Sequence, residues 1–509
     1  MKWSPQQEAI FDWFAKGSGN QVVRARAGCA KTTSAVKALS LAPENDILMA
    51  AFGNKIAKEL GRKVQEVGGD NRAEIKTLHG VGYGIVRRYW DGVGLHKTRG
   101  FDLARRVAGE QCPDEMITKI QKLAGIAKGM VTSFNPESEE LFSDMVDMAI
   151  KFDVEPDAEW QQDGWTTERV AKYAIESMEL ARRRPENGQP KQVDFNDMLF
   201  LPIANDWAQP RYDLVVIDEA QDMSAVQLEL AQRVMRPGGR ASVIGDDRQA
   251  IFGFRGADSG SLDRLKRELS AVEFGLTKTY RCGKVIVDYA RKLVPDFQAD
   301  DSNPLGEINA IPLGKLVETA VEGDFILSRK NAPLAVICLR LIRAGKRARI
   351  EGKDIGASLK SICKRWKPKN MAQLQDNINR WHDREIARLS LLKSREAADK
   401  MALVADQAEI LLAICDSITG PEQMLPKLET LFVDSEDDPR PSIVCSSIHK
   451  AKGLEANRVF VLRYTLYPKR FVRRGEVAPP ENEAQKREEA NLEYVAVTRA
   501  RNVLTWVSE

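Results

Sequence analysis

The run Val22-Val23-Arg24-Ala25-Arg26-Ala27-Gly28-Cys29-Ala30-Lys31-Thr32-Thr33 sets an apolar strand ahead of a loop of small residues, and Lys-Thr-Thr then opens a helix. That order suits a bound phosphate. Small residues let the backbone approach closely, successive amides face the anion, and a helix N-terminus stands behind it. Lys31 could reach terminal phosphates, and the Thr32 hydroxyl could hold a Mg²⁺ ion. A plain small-residue turn between strand and helix would use the same residue types. The pattern also departs from its commonest form, with Ala25 and Ala30 where glycine usually stands. If the backbone at Ala30 requires φ > 0, its Cβ costs about 1 kcal/mol.

A second group lies at Leu214-Val215-Val216-Ile217-Asp218-Glu219-Ala220-Gln221-Asp222. An apolar strand ends there in two adjacent carboxylates, at the edge where an open α/β sheet carries its ligands. Asp218 could hold magnesium through water, and Glu219 could take a proton from an attacking water. A lone Asp-Glu pair is as readily a strand leading into a helix N-terminus that favours acids. With a Lys-Thr loop on another strand, the chemical reading gains the advantage.

These groups need a sheet to position them, and two regions alternate strands and helices as a helix-wrapped parallel sheet requires. In the first region strands are expected at Gln21–Arg24, Ile47–Phe52, Asp213–Ile217 and Ala241–Ile244. Between them, 87–187 includes FDLARRVAGE, DEMITKIQKLAGIAKGM and LFSDMVDMAIKF, whose apolar residues recur every three and four positions as in helices. In the second region strands are expected at Phe325–Ser328, Arg347–Ile350, Ser442–Ser446 and Arg458–Leu462. The segment 357–419 contains no glycine and one proline, Pro368, and it sets Leu374, Ile378 and Trp381 on one helical face and Leu389 and Leu392 on another. A helical hairpin is expected there. The fold class is α/β, with two parallel-sheet domains, each interrupted by a mainly helical insertion. The expected boundaries are 1–86 plus 188–275 for the first sheet domain and 87–187 for its insertion. Those of the second are 276–356 plus 432–509, with an insertion at 357–431.

The totals exclude several classes. A chain of 509 residues with 43% apolar and 29% charged residues is globular and large enough for several domains. No apolar run approaches a bilayer span, and MKWSPQQEAIFDWF offers no signal-peptide core. The seven cysteines are scattered singly, which excludes a disulfide framework and suits a reducing cytoplasm. A cytoplasmic protein with no membrane partner is expected. Net charge is only +3, so any attraction to a polyanion is local. Basic stretches at Arg182–Arg184, Arg340–Arg349, Lys364–Lys369 and Lys469–Arg474 are, taken singly, more commonly solvated faces than binding tracks.

DEAQD at 218–222 and VIGDDRQAIFGFRGA at 243–257 resemble two motifs of the UvrD-like superfamily 1 helicases. The resemblance continues in order through SPQQEAI (4–10), AGCAKTT (27–33), ILMAAFGNKIAKEL (47–60), TLHG (77–80) and VDFNDML (193–199). It extends to LTKTYRC (276–282), SSIHKAKGLE (446–455) and LEYVAVTRAR (492–501), so ten ordered blocks span nearly the whole chain. The resemblance implies two RecA-like motor domains, ATP and Mg²⁺ as cofactors, and DNA unwinding or translocation with 3′-to-5′ polarity. It implies a phosphate loop of Ala27, Gly28, Cys29, Ala30, Lys31, Thr32 and Thr33, with Asp218 and Thr32 on the metal and Glu219 as the base. Gln7 would pair with adenine, Tyr280 stack on the base and Glu455 touch the ribose. Gln249 would sense the γ-phosphate, while Arg281 and Arg499 would supply bidentate charge to the phosphoryl transition state. Phe52, Asn54, His79, Phe252, Phe254, Arg255 and His449 fall in blocks that line the DNA path.

The implied partners are single-stranded DNA and single/double-strand junctions, with the protein acting as a monomer; protein partners are not indicated. Ala30, Arg248 and Phe254 depart from the commonest family residues, the second insertion is short, and the ten residues after Arg499 lead to the expectation of no nuclease or partner-binding tail. Three readings compete: a duplex-unwinding helicase, a translocase that strips proteins from single strands, and an ATP-gated regulatory module that does not step. Stacking and phosphate contacts serve DNA and RNA alike.

Overall fold

The computed structural model describes residues 3–66, 72–152, 154–156, 158–185, 191–251, 261–364, 366–390, 395–434, 440–466 and 483–509. It divides into two compact units, Met1–Ala25 with Ala30–Leu276, and Arg26–Cys29 with Thr277–Glu509.

In the first unit six parallel strands run in the order Ala73–Thr77, Ile47–Ala51, Tyr212–Ile217, Met235–Gly245, Gln21–Ala25 and Val272–Leu276. Every residue of Ile47–Ala51 is buried, as expected of an inner strand covered on both faces. The strand stops at Ala51 rather than at Phe52, because the chain there turns into the helix Asn54–Glu66. Met235–Gly245 begins six residues earlier than its apolar stretch suggests. Its first half runs through Pro237, Gly238 and Gly239, and the pairing shifts register opposite Tyr212 and Leu214. Polar and glycine-rich sequence at such an irregularity carries no alternation to read.

Helices Arg99–Ala108, Asp114–Lys128, Glu139–Lys151 and Thr167–Arg182 form the insertion. They close on a core that includes Ile117, Ile120, Leu123, Met145, Val170, Ala174 and Met178. Two short strands, Gly94–Leu95 and Gln192–Val193, pair in parallel on either side of it.

The second unit has six parallel strands in the order Glu307–Pro312, Ala500–Ser508, Ala456–Leu462, Phe325–Ser328, Ile443–Ser447 and Ala348–Ile350. Two of them are additions to the expected set. Glu307–Pro312 is an edge strand, mostly exposed and ending in proline. Ala500–Ser508 follows the helix Glu483–Val497 after only Thr498 and Arg499, with no glycine or proline to mark the turn. The second insertion comprises Lys353–Cys363, Met371–Ser390, Arg395–Cys415 and Met424–Leu431. Leu374 and Ile378 of one long helix share a core with Ala408, Leu411 and Ile414 of the next, as a hairpin requires. Trp381 packs partly buried against this core, whereas Leu392 lies outside the described residues. No helix among the described residues is long and apolar enough to cross a membrane.

Arg240 fixes the first helix to the sheet. The residue is 7% exposed, and its guanidinium donates to the carbonyls of Trp13 (2.7 Å), Phe14 (2.9 Å) and Gly17 (2.8 Å) at the end of the helix Pro5–Lys16. It also pairs with Glu44 at 2.6 Å. Replacement by an apolar side chain strands one carboxylate and three carbonyls, so Arg240→Met should lower unfolding free energy by about 3 kcal/mol, read as a reduced urea midpoint.

Candidate nucleotide and nucleic-acid sites

In the first unit, the helix Lys31–Leu39 starts from Ala30 in the left-handed region (φ 61°, ψ 35°), and no side chain caps its first turn. The penalty foreseen for a Cβ at Ala30 is therefore present. Lys31 Nζ lies 2.8 Å from Glu219 Oε1. Glu219 is itself left-handed (φ 54°, ψ 42°), so two non-glycine residues in a costly conformation carry or adjoin the charged groups of one site. Asp218 is buried, and its Oδ1 accepts the Glu219 N–H at 2.9 Å. Burial, then the neighbouring Glu219, pushes the Asp218 carboxyl up to about 6 against the opposing pull of Lys31.

Asp218 and Thr32 are hard oxygen donors of the kind Mg²⁺ takes. A divalent cation would also favour the ionised form of a carboxyl that burial and a like charge disfavour. The residues present thus fit magnesium.

A polar chain leads away from Glu219. Gln221 donates to Glu219, and its Oε1 accepts the Asp246 N–H at 2.9 Å. Asp246, fully buried, in turn accepts from Gln249 Nε2 at 2.7 Å. Spacing in the sequence does not single out Gln221 and Asp246 as site residues, although both stand within the motif blocks DEAQD and VIGDDRQAIFGFRGA. The approach of Gln221 also explains Gly245, where a Cβ would lie 2.6 Å from Gln221 Oε1.

Gln7 is buried with its amide engaged. It donates to Ser34 Oγ at 2.8 Å, and its Oε1 accepts from Ser4, which caps the helix Pro5–Lys16. Ser34 passes the connection to the Ala30 carbonyl at 2.9 Å. Gln7 thus ties the first helix to the start of the Lys31 helix.

Asn54 is exposed at the head of its helix, and Phe52 is half-buried just before it. His79, in the first turn of Leu78–Tyr89, stacks on Phe195 with ring centroids 3.8 Å apart and planes inclined by 21°. Burial pulls the His79 imidazole down to about 4, so it is neutral near pH 7. Phe195 is 60% exposed, an unusual position for a phenylalanine. Its block, VDFNDML, carries the family resemblance, but nothing in the sequence marks this ring as facing water. Phe252, Phe254 and Arg255 lie outside the described residues, as does the basic stretch Lys469–Arg474.

In the second unit, Arg499 is 1% exposed. Its guanidinium donates to the carbonyls of Val495 (3.0 Å) and Leu454 (3.1 Å) and to Thr498 Oγ1 (3.2 Å). Burial and then Arg281 pull it down to about 10. A buried cation answered by neutral oxygens beside a second cation retains its demand for an anion. Arg281 pairs with Glu455 and donates to the Thr498 carbonyl at 3.4 Å. Burial raises the Glu455 carboxyl, but Arg281 and Arg501 prevail and hold it below its usual range.

Tyr280 is exposed, and its N–H donates to the Gly28 carbonyl at 2.9 Å. Gly28 is left-handed (φ 67°), and a Cβ there would lie 2.5 Å from Arg281 Cβ. The Ala27 N–H donates to the Tyr494 hydroxyl at 3.0 Å, and Cys29 is buried. His449 is half-buried, its imidazole pulled down to about 4 by burial and Arg329.

Two parallel α/β sheets of this order, one with Lys31, Asp218 and Glu219 in the segments that follow its strands and one in the unit that holds Arg281 and Arg499, define the RecA-like motor class. Residues 4–270 match the model of the UvrD/REP helicase N-terminal domain and residues 349–508 that of the UvrD-like helicase C-terminal domain, and the chain belongs to this family. It is 24% identical over 524 residues to the F-box DNA helicase protein 1 of Schizosaccharomyces pombe, covering 95% of this chain and 55% of the relative. It is 23% identical to the ATP-dependent DNA helicase PcrA of Staphylococcus aureus, over 54% of this chain and 38% of that one. With the ATP-dependent DNA helicase srs2 of Schizosaccharomyces pombe it shares 22% identity, over 58% and 35%. The matches span about half the length of these relatives or less.

Glycine at Ala30 relieves a left-handed penalty of about 1–2 kcal/mol but adds about 0.4–1 kcal/mol of unfolded-state entropy. Ala30→Gly should therefore stabilise by about 0.5 kcal/mol, and the β-branched Ala30→Val should destabilise by more than 1 kcal/mol, in thermal melts of the two variants.

Proposed function

We propose that this protein is an ATP-driven motor that moves on single-stranded DNA, 3′-to-5′, and unwinds duplex at single/double-strand junctions. The observation that carries this reading is the Lys31–Glu219 pair beside the buried Asp218, in a chain that matches the helicase family model over more than half its length. Its likeness to PcrA and srs2, each an ATP-dependent DNA helicase by name, supports the same activity.

ATP would lay its phosphates across Ala27–Thr33. Magnesium, held by Thr32 and Asp218, would neutralise charge on the phosphates. Lys31 divides its attention: a phosphate competing for its ammonium leaves the Glu219 carboxylate available to accept the proton of the attacking water. Gln221 orients Glu219, and the chain through Asp246 to Gln249 offers a path by which loss of the γ-phosphate is felt elsewhere in the first unit. Arg281 and Arg499 would supply the bidentate positive charge that a phosphoryl transition state needs. Tyr280 would stack on the adenine, Gln7 read its edge, and Glu455 meet the ribose.

Phe52, Asn54, His79, Phe252, Phe254, Arg255 and His449 would line the strand, with Phe195 added as the outer ring of the His79 stack. Such faces accept any base, which suits a motor that ignores sequence. A second reading, translocation that displaces bound proteins with little unwinding, is favoured by the short second insertion, whose helices among the described residues run from Lys353 to Leu431.

ATP hydrolysis titrated with single-stranded DNA, RNA and duplex tests the proposal. Turnover should be weak alone and rise strongly with single-stranded DNA; equal turnover in its presence and absence would overturn the coupling. Lys31→Ala should abolish hydrolysis, and Glu219→Gln should slow it by about 10²–10⁴-fold while nucleotide remains bound in a filter assay. Because it removes one stacking ring, Phe195→Ala should raise the half-saturating DNA concentration by about 5- to 100-fold. Strand-displacement and protein-displacement assays separate the two motor readings.

A further inference from the structure

The exposed ring of Phe195 sits between two aspartates that are locked to each other. The Asp194 N–H donates to Asp197 Oδ2 at 3.0 Å, and the Asp197 N–H donates to Asp194 Oδ1 at 2.8 Å. Asp197 is completely buried at the first position of the helix Asp197–Ala204. Its carboxylate is taken by Arg99 and by Lys128 Nζ at 2.6 Å, and Lys128 also lies 3.6 Å from Asp194. Arg99 opens one insertion helix and Lys128 closes the next, and both side chains are under 10% exposed. Arg99 also donates to the Ala181 carbonyl at 3.0 Å, near the end of a third insertion helix, Thr167–Arg182.

The surroundings are apolar, with Leu123, Ala124, Phe200 and Leu201 in the same core. A hydrophobic contact here would hold the helices together without fixing a direction, because burial of apolar area is non-directional. A buried carboxylate shared by two cations and two backbone-linked turns has only one arrangement in which every charge is answered. That arrangement leaves Phe195 and Asn196 projecting from the clamp, with Phe195 against His79.

We propose that Asp194, Asp197, Arg99 and Lys128 are positioning residues: through this buried ion cluster the helical insertion sets the orientation of the Phe195–His79 platform for bases of single-stranded DNA. The proposal rests on the reading of Phe195 as a stacking residue. It makes the insertion a determinant of strand grip, so that displacement of the three helix ends re-aims the ring, and strand binding in return holds those helix ends in place.

The test uses the full chain and an oligothymidylate carrying one 2-aminopurine, whose fluorescence is quenched by stacking. Lys128→Met should raise the half-saturating DNA concentration at least fivefold and reduce the quench, while leaving DNA-free ATP hydrolysis unchanged. Lys128→Arg, which keeps the charge, should restore both. Combined with Phe195→Ala, Lys128→Met should weaken binding no further, because both changes act on the same stack. If Lys128→Met weakens binding additively with Phe195→Ala, or leaves quench and affinity intact while Phe195→Ala impairs them, the positioning role is wrong and the stacking reading stands. If Phe195→Ala changes neither, the stacking reading falls and the inference with it. Should Lys128→Met fail to fold, Asp194→Ala, which removes the acceptor for the Asp197 N–H, carries the same expectations. In the unsubstituted protein, saturating DNA should slow amide exchange around residues 99–103 and 124–128, and no change there also overturns the proposal.

Discussion

Asp218 ends an apolar strand with no exposure to water to speak of, and Glu219 follows it directly. Burial and the neighbouring Glu219 make the Asp218 carboxyl resist ionisation, and Lys31, paired with Glu219, opposes them. The rest of the first unit's site follows from that electrostatic problem. The Lys31 helix must begin where it does, which puts Ala30 in a left-handed conformation. Glu219 must leave the strand sharply, which puts it in another. Both costs are of a size that a folded domain tolerates only where surrounding structure holds the backbone in place. Here the buried strands Gln21–Ala25 and Tyr212–Ile217, separated in the sheet only by Met235–Gly245, supply that hold.

The second unit meets its own version of the problem with opposite sign. Arg499 is buried among carbonyls and a hydroxyl, beside Arg281, whose charge is partly met by Glu455. The first unit thus carries an acidic pair that fits a divalent cation, and the second a pair of guanidinium groups that fits a phosphate. Under the proposed function, a bound cation and a bound phosphate would supply the opposite charge to each.

Under the proposed function, stability and activity draw on the same polar residues in several places. Gln7 completes the capping box that Ser4 begins, reaches the phosphate-loop helix through Ser34, and is the residue the family resemblance assigns to the adenine edge. Asp197 anchors two insertion helices directly and reaches a third through Arg99, and it sits two residues from the ring proposed to stack on DNA. Such double use would explain why a buried ion cluster persists in a core that apolar residues could fill at lower cost.

The motif blocks made the class of chemistry legible from the sequence, because a phosphate loop and a strand ending in acids are local patterns whose spacing the backbone geometry enforces. Inner strands such as Ile47–Ala51 and Phe325–Ser328 were readable for the same reason, since burial on both faces demands an unbroken apolar run. The edge strand Glu307–Pro312, the early start of Met235–Gly245 and the strand Ala500–Ser508 were not, because exposure, a register shift and a turn without glycine or proline leave no periodic trace. Nor could one-dimensional spacing reveal that Gln221 and Asp246 link Glu219 to Gln249, or that Arg99 and Lys128 meet at Asp197, two residues from Phe195. Gln221 and Asp246 lie 25 positions apart in the chain, and Arg99 and Asp197 lie 98 apart. Only folding sets which distant polar groups must satisfy one another once water is gone.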